Sequence, residues 1–171
     1  MSYRPSTSSA QGFAVALVVA IVCNIAVIEN SAAGEREDRT RELLFTQRDY
    51  YNHGNEIGDL SLYLGMYADD AVRVSPTGTQ RGIDEITAFF NSVLKTWKAK
   101  VVYKNGVVQG DSMALQFTWV ATHRALGKTI EMDMAAFVTF NDEAKRTSHH
   151  VYFDAAKMSR YMEEIKGEAR Q

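Results

Sequence analysis

The sequence is poor in the residues that form disulfides, metal centres and nucleic-acid binding tracks. Its 171 residues include a single cysteine, Cys23, which lies outside the expected domain and leaves it without a disulfide, a cysteine-based zinc site or a nucleophilic thiol. Lys and Arg number 19 against 21 Asp and Glu, for a formal net charge of −2. No basic run is long enough to follow a phosphate backbone, so we expect no nucleic-acid partner.

One long apolar run is present, near the amino end. Residues 12–28 follow a polar segment whose one charge is Arg4, and a small-residue stretch ending at Ala33 comes after them. This layout is typical of a secretory signal cleaved after Ala33, and the run is also nearly long enough to remain as a membrane anchor. In both cases we expect an exported domain, against which residues 1–33 pack little. An anchored chain would associate with the membrane through residues 12–28.

After this run, apolar residues recur at the spacing of a helix, and later in the chain they recur at every second position. Helical spacing, such as Leu43, Gln47 and Tyr51 at i, i+4 and i+8, predicts three helices, with a short strand and turn before the third. The predicted helices are 35–53, 60–70 and 83–97. From residue 100 onwards, alternation and turn residues predict strands joined by hairpins. The predicted strands are 100–109, 112–125, 128–140 and 146–154.

Three helices followed by antiparallel strands predict an α+β fold rather than a parallel one. We expect one domain over residues 35–162, preceded by the apolar segment and followed by a tail over residues 163–171. Phosphate-binding glycine loops and nucleophile elbows are missing from this domain, and we expect no organic cofactor.

Parity along the predicted strands separates an apolar face from a polar one. His149 shares its face with Val151 and Phe153, whereas the adjacent His150 points to the opposite side. His123 lies on the same face of its strand as Trp119. Because helices should cover the apolar face, we expect His149 to be buried and His150 to lie on the outer face of the sheet.

Two imidazoles on the buried side of one sheet are the main chemical signal in the sequence. A neutral imidazole can both donate and accept a proton near pH 7, which suits acid–base catalysis. The alternative is that both are core or rim residues bonded to backbone carbonyls. Zinc would need a third ligand, and Glu131 and Asp133 have the wrong parity to supply one. We therefore expect no metal.

The chain resembles the SnoaL-like and ketosteroid-isomerase-like families of the nuclear transport factor 2-like superfamily. The resemblance covers roughly residues 38–160 and rests on the segments IGDLSLYLGMYADDAVRVSPTG, RGIDEITAFF, FVTFNDEAK and SHHVYFD. It implies a cone-shaped α+β fold in which a strongly curved antiparallel sheet wraps around the helices and leaves a deep apolar pocket. It also implies a homodimer that pairs through the outer face of the sheet.

Position by position, the chain keeps only part of the catalytic groups of these relatives. Tyr51 matches the phenol that donates to the substrate oxyanion in ketosteroid isomerases, but Ser75 and Ala136 stand where those enzymes carry aspartates. Val151 replaces an inward carboxylate of SnoaL-like cyclases, and His123 matches a pocket histidine of scytalone-dehydratase-like members. With no inward carboxylate nearby, burial should keep His123 and His149 neutral at pH 7.

Two functions remain open at this point. In the first, the chain is a small-molecule isomerase or lyase, dehydratase- or cyclase-like, in which His149, His123 and Tyr51 act on an apolar, oxygenated ring compound. In the second, it is a non-catalytic exported module that binds a small ligand or serves in assembly. The residues expected to contact the ligand are Tyr67, Phe90, Trp119, Met134, Ala136, Val151 and Phe153.

Overall fold

A computed structural model describes the backbone of residues 10–168 and the side chains of residues 34–165 and 167. The chain divides into two compact units, Met1–Arg36 and Glu37–Gln171, and the sheet belongs to the second. The side chains of the predicted signal or anchor, residues 12–28, lie outside the described part, so export stays a prediction. No helix within the described residues is both long and apolar enough to span a membrane.

Residues 10–168 form four helices and six strands. The helices are α1 (Ala10–Ile57), α2 (Ser61–Leu64), α3 (Gly82–Thr96) and α4 (Ala155–Glu168). The strands are β1 (Tyr67–Ser75), β2 (Gly78–Arg81), β3 (Trp97–Gln109), β4 (Ser112–His123), β5 (Thr129–Phe140) and β6 (Arg146–Phe153). The four long strands predicted from alternation are all present, and the predicted α+β class is confirmed.

The strands form one curved sheet in the order β2-β1-β6-β5-β4-β3. Strands β3 to β6 are an antiparallel meander, as predicted. The sheet as a whole is mixed, because β1 pairs in parallel with β6. That pairing joins the first strand to the last, and it brings Arg73 opposite His149. Local alternation cannot reveal a partner so distant in sequence, since it reports only which face a side chain occupies.

The first two helices end at different places from those predicted. Helix α1 continues to Ile57 and stops before Gly58, whose φ of 83° gives the left-handed conformation common after a helix end. Gly54 is required inside the helix, since a Cβ there would lie 2.5 Å from the carbonyl oxygen of Asp59. Helix α2 ends at Leu64, so Tyr67, predicted to be helical, is instead the first residue of β1.

Helix α4 was not among the predicted elements, and the predicted domain end at residue 162 falls inside it. Its start is capped by Asp154, whose Oδ1 accepts a hydrogen bond from the backbone N–H of Lys157 at 2.9 Å. Met158, Met162 and Ile165 recur at helical spacing and pack against the core. The same spacing is visible in the sequence and would have revealed the helix.

The core lies between the helices and the sheet, in two clusters of buried apolar side chains. The larger cluster includes Ile86, Phe90, Trp97 and Trp119, and the smaller one is built around Leu44, Met113, Val138 and Phe140. A cavity lies among side chains of both clusters, and Leu44, Phe90, Trp97 and Trp119 line it.

Amide side chains of α1 cover the β3 edge of the sheet at Ala99 and Val101. Asn52 donates from Nδ2 to the carbonyl oxygen of Val101 at 3.0 Å and accepts from the Val101 N–H at 2.7 Å. Asn55, buried, accepts from the Ala99 N–H at 3.1 Å. The two asparagines occupy hydrogen-bonding groups that a neighbouring strand would otherwise use.

Candidate functional site

A cavity of about 350 Å³ opens within the second unit, between the helices and the sheet. Its wall is mostly apolar and aromatic, with contributions from α1, α2, α3, α4 and all strands but β2. Most of the predicted ligand contacts belong to this wall. The predicted residues that line it are Tyr51, Phe90, Trp119, Met134, Ala136, His149, Val151 and Phe153. This volume lies in the range of small-molecule sites.

His149 is buried and lines the cavity, as its parity in the strand predicted. Its Nδ1 lies 2.6 Å from the phenol oxygen of Tyr67. Tyr67 is buried behind the wall rather than in it, and its oxygen lies 3.5 Å from that of Tyr63, which does line the cavity. Two cavity-lining groups, an imidazole and a phenol, are therefore linked through a buried phenol.

The imidazole and its phenol partner are both neutral at pH 7. Burial, followed by the positive charges of Arg146 and Arg73, holds the pKa of His149 well below its usual value of 6.5. Burial raises the pKa of the Tyr67 phenol well above 10, with a smaller contribution from Tyr63. The low pKa of His149 agrees with the expected neutral imidazole, and the nearby positive charges add to the effect of burial.

Tyr51 lies in the cavity wall with its hydroxyl partly engaged. Its oxygen accepts a hydrogen bond from Nε1 of Trp119 at 2.9 Å. Burial raises the pKa of Tyr51 to about 12, although the hydrogen bond from Trp119 acts in the opposite direction. The phenol therefore keeps its proton at neutral pH and can donate it in a hydrogen bond to a ligand oxygen.

His123 is not part of the cavity wall, although it has the predicted parity. It is the last residue of β4, half-buried, and its ring packs edge-on against Trp97 with centroids 5.0 Å apart. Trp97 itself lines the cavity. His123 therefore lies behind Trp97, and the structure does not bring it together with His149 and Tyr51.

Arg73 is a wall residue that sequence reasoning missed. It is buried in β1 between Ala71 and Ser75, on the face that points into the domain. Its Nη1 donates to Oε1 of Gln80 at 2.8 Å and to Oγ of Ser75 at 3.3 Å. The guanidinium carbon lies 4.1 Å from the ring centroid of Phe89. The flanking valines make an inward arginine unexpected, and only its two-residue spacing from Ala71 and Ser75 points to it.

A second buried arginine, Arg146, lies next to the two phenols. It has no exposed surface, and its guanidinium carbon lies 4.3 Å from the ring centroid of Tyr67 and 4.6 Å from that of Tyr63. Its Nη2 donates a hydrogen bond to Sδ of Met66 at 3.8 Å. Among the described residues neither Arg146 nor Arg73 forms an ion pair.

The wall contains no carboxylate among the residues that the structure describes, and its charged members are Arg48 and Arg73. Ala136 and Val151 line it, and Ser75 lies buried beside Arg73. The part of the chain described here also contains no group of three His, Cys, Asp or Glu that could hold a metal ion. His149 is then the one side chain of the described wall suited to exchange protons near neutral pH.

The sequence model of a family described as SnoaL-like domain matches residues 48–149. Several solved structures share the fold. A protein described as a SnoaL-like polyketide cyclase from Jannaschia sp. CCS1 is 16% identical with a TM-score of 0.62, over 72% of this chain and 91% of that one. An NTF2-like protein of unknown function from Burkholderia pseudomallei K96243 is 18% identical with a TM-score of 0.60, over 71% and 95%.

A third similar structure is TerC co-crystallised with polyporic acid, 21% identical with a TM-score of 0.61, over 73% of this chain and 98% of that one. No curated protein matches the chain. The predicted resemblance and its cone-shaped fold are confirmed by these similarities.

Proposed function

This chain belongs to the SnoaL-like domain family, and on that basis we propose that it is an isomerase or lyase, dehydratase- or cyclase-like, acting on small ring compounds. The observation that carries the proposal is the buried pair of His149 and Tyr67, whose Nδ1 and Oη atoms lie 2.6 Å apart at the cavity wall. The pair supplies a neutral acid–base group in a mostly apolar site. Support for chemistry on ring compounds also comes from the fold neighbour described as a polyketide cyclase.

The partner of Nδ1 determines what Nε2 of His149 can do. When the Tyr67 hydroxyl donates to Nδ1, Nε2 carries the ring proton and can give it to the ligand as Nδ1 takes up the hydroxyl proton. When Nδ1 carries the proton and donates to the hydroxyl, Nε2 has a free lone pair and acts as a base. A phenol can take either role, because its O–H both donates and accepts. His149 can therefore remove a proton from a ligand and later return one.

The contact with Tyr63 extends this exchange to a second point in the cavity. Tyr67 lies between His149 and Tyr63, and both of these reach the ligand space. The 3.5 Å separation of the two phenol oxygens is longer than a usual O–H···O bond, so they must approach during turnover. A proton taken at one position of the ligand can then be replaced at another, as an isomerisation requires.

Tyr51 provides a hydrogen-bond donor for charge that develops on the ligand. Its hydroxyl oxygen is fixed by Trp119, and its pKa of about 12 keeps the O–H protonated. Removal of a proton next to a carbonyl places negative charge on the carbonyl oxygen, and a fixed donor stabilises that charge. The aromatic wall formed by Phe90, Trp119 and Phe153 suits an apolar ring as the ligand body.

The second candidate function is a non-catalytic ligand-binding module. The observation in its favour is that Ser75, Ala136 and Val151 occupy the positions at which related enzymes carry carboxylates. In that case His149 and Tyr51 would bind a ligand oxygen without transferring a proton.

Deuterium exchange tests the two candidates without knowledge of the product. A panel of cyclic ketones and phenolic polyketides is incubated with the protein in heavy water, and label at carbon is followed by NMR and mass spectrometry. We expect wild-type protein to catalyse exchange and His149→Gln to slow it by about 10²–10⁴-fold, the usual value of general acid–base catalysis. The matched control is His150→Gln, on the opposite face of the same strand.

An exchange rate in His149→Gln that stays within about tenfold of the wild-type rate would exclude acid–base catalysis by this imidazole. Binding of a panel compound without any exchange in wild type would instead establish the binding module.

A further inference from the structure

The cavity contains a buried positive charge, that of Arg73, which none of the described residues neutralises by an ion pair. We propose that its ligand carries an acidic oxygen group, a carboxylate or an equally acidic enol, and that Arg73 binds this group. The inference deepens the proposed function and rests on it only in placing the ligand in the same cavity.

The surroundings of Arg73 are those of a cation that lacks its anion. The side chain is 6% exposed, and burying an unpaired charge is strongly unfavourable unless other groups compensate it. The groups present are the neutral oxygens of Gln80 and Ser75 and the ring face of Phe89. In the described part of the chain no carboxylate lies within 4.0 Å of this guanidinium.

One side of the Arg73 guanidinium remains unused. Both hydrogen bonds start from Nη1, whereas Nε is buried and has no partner among the described residues. Nη2 also makes no hydrogen bond to the part of the protein that is described. Nη2 is the accessible member of this side, because it is free of hydrogen bonds to the described residues and is not among the fully buried atoms, so a ligand oxygen can bind there, with Nε beside it in the same fork.

The other charges near the cavity favour an anion as well. Arg48 also lies in the wall but is paired with Asp49 at 2.7 Å, so its charge is already balanced. Arg146 is fully buried behind Tyr63 and Tyr67, and no carboxylate in the described part of the chain pairs with it. Two guanidinium groups that form no ion pair with any described residue therefore act on the same low-dielectric space, where Coulomb interactions are strong.

The register of the sheet places the anion site next to the acid–base group. Arg73 and His149 are direct partners in the parallel pairing of β1 with β6, and both side chains line the cavity. An acidic group held by Arg73 would thus fix the neighbouring ring carbon close to the imidazole. Positioning of this kind lowers the entropic part of a reaction barrier.

A matched pair of probes tests the proposal in the full-length protein. The probes are 2-naphthoate, which is an anion at pH 7, and 2-naphthamide, which has nearly the same shape and no charge. Isothermal titration calorimetry measures both affinities in wild type, in Arg73→Met and in Arg81→Met, an exposed arginine of the adjacent strand. We expect wild type and Arg81→Met to bind naphthoate at least about tenfold more tightly, and Arg73→Met to lose this preference while binding naphthamide as before.

Three results would overturn the proposal. They are equal affinity for the two probes in wild type, a preference for naphthoate that persists in Arg73→Met, and no binding of naphthoate at all. The melting temperature of ligand-free Arg73→Met adds an independent check. It should equal or exceed that of wild type, because an unpaired buried charge is removed, and a clear fall would mean that Arg73 is a structural residue. If naphthoate binds through Arg73 but deuterium exchange is absent, the catalytic proposal fails and the anion site stands.

Discussion

His149 should make the fold less stable in mild acid, by an amount that follows from its environment. Burial and the charges of Arg146 and Arg73 hold its pKa well below 6.5 in the folded protein, whereas the unfolded chain has the ordinary value. Below pH 6.5 the unfolded state therefore binds a proton that the folded state does not. The stabilisation is complete above that pH and is lost as the pH falls towards the folded-state pKa.

The size of the loss is set by proton linkage. While His149 stays neutral in the folded protein, the free energy of unfolding falls by about 1.4 kcal/mol for each pH unit below the ordinary pKa. For an imidazole that is still neutral at pH 5 in the folded protein, the loss between about pH 8 and pH 5 amounts to roughly 2 kcal/mol. For a domain of this size such a loss lowers the melting temperature by about 6–10 °C.

Guanidinium denaturation of wild type, His149→Gln and His150→Gln over this pH range isolates the contribution. Carboxylates titrate in all three proteins, so the difference between wild type and His149→Gln belongs to the imidazole. Glutamine can still hydrogen-bond to Tyr67 and does not titrate. We expect wild type and His150→Gln to lose about 2 kcal/mol more than His149→Gln. Parallel pH profiles for wild type and His149→Gln would refute the assigned pKa shift and with it the neutral, desolvated state of the site.

Four further predictions concern single groups. Tyr67→Phe leaves Nδ1 of His149 buried without a partner and should lower the free energy of unfolding by about 1–3 kcal/mol, measured by denaturation. Asn55→Ala leaves a backbone N–H of β3 without its acceptor and should lower the free energy of unfolding by a similar amount, about 1–3 kcal/mol, in the same assay. His123→Ala should change ligand affinity less than about twofold by calorimetry, since the side chain lies outside the cavity wall. Phe137→Lys places a charge among the exposed rings of the outer sheet face and should convert the expected homodimer to monomer in analytical ultracentrifugation.

The hydrophobic period of the sequence was sufficient for the fold class and for part of the site. Alternation in the last strand placed His149 inside, together with Val151 and Phe153, and all three line the cavity. Helical spacing likewise placed Tyr51 on the inner face of α1, where it contributes to the wall. Parity identifies the face of an element, and in a single sheet covered by helices that face is the cavity side.

The residues that were misplaced depend on relations between distant elements. His123 has the correct parity, but the ring of Trp97 from β3 lies between it and the cavity. Tyr67 and Arg73 come together with His149 only through the parallel pairing of β1 with β6. The hydrophobic periodicity of a strand does not show which strand it pairs with or in which register. Arg73 also contradicts the local pattern of its strand, as residues at functional sites often do.

The asparagines on α1 have a consequence for how molecules of this protein can associate. A strand at the end of a sheet can recruit a strand from another molecule, which is a common start of aggregation. Asn52 and Asn55 block that route at Ala99 and Val101, and the opposite edge, β2, is only four residues long. Growth of the sheet across two molecules is thus disfavoured at these positions of β3 and at the short strand β2. Local unfolding of the end of α1 would uncover the β3 edge, so we expect conditions that loosen this helix to promote fibrous aggregation before the rest of the domain unfolds.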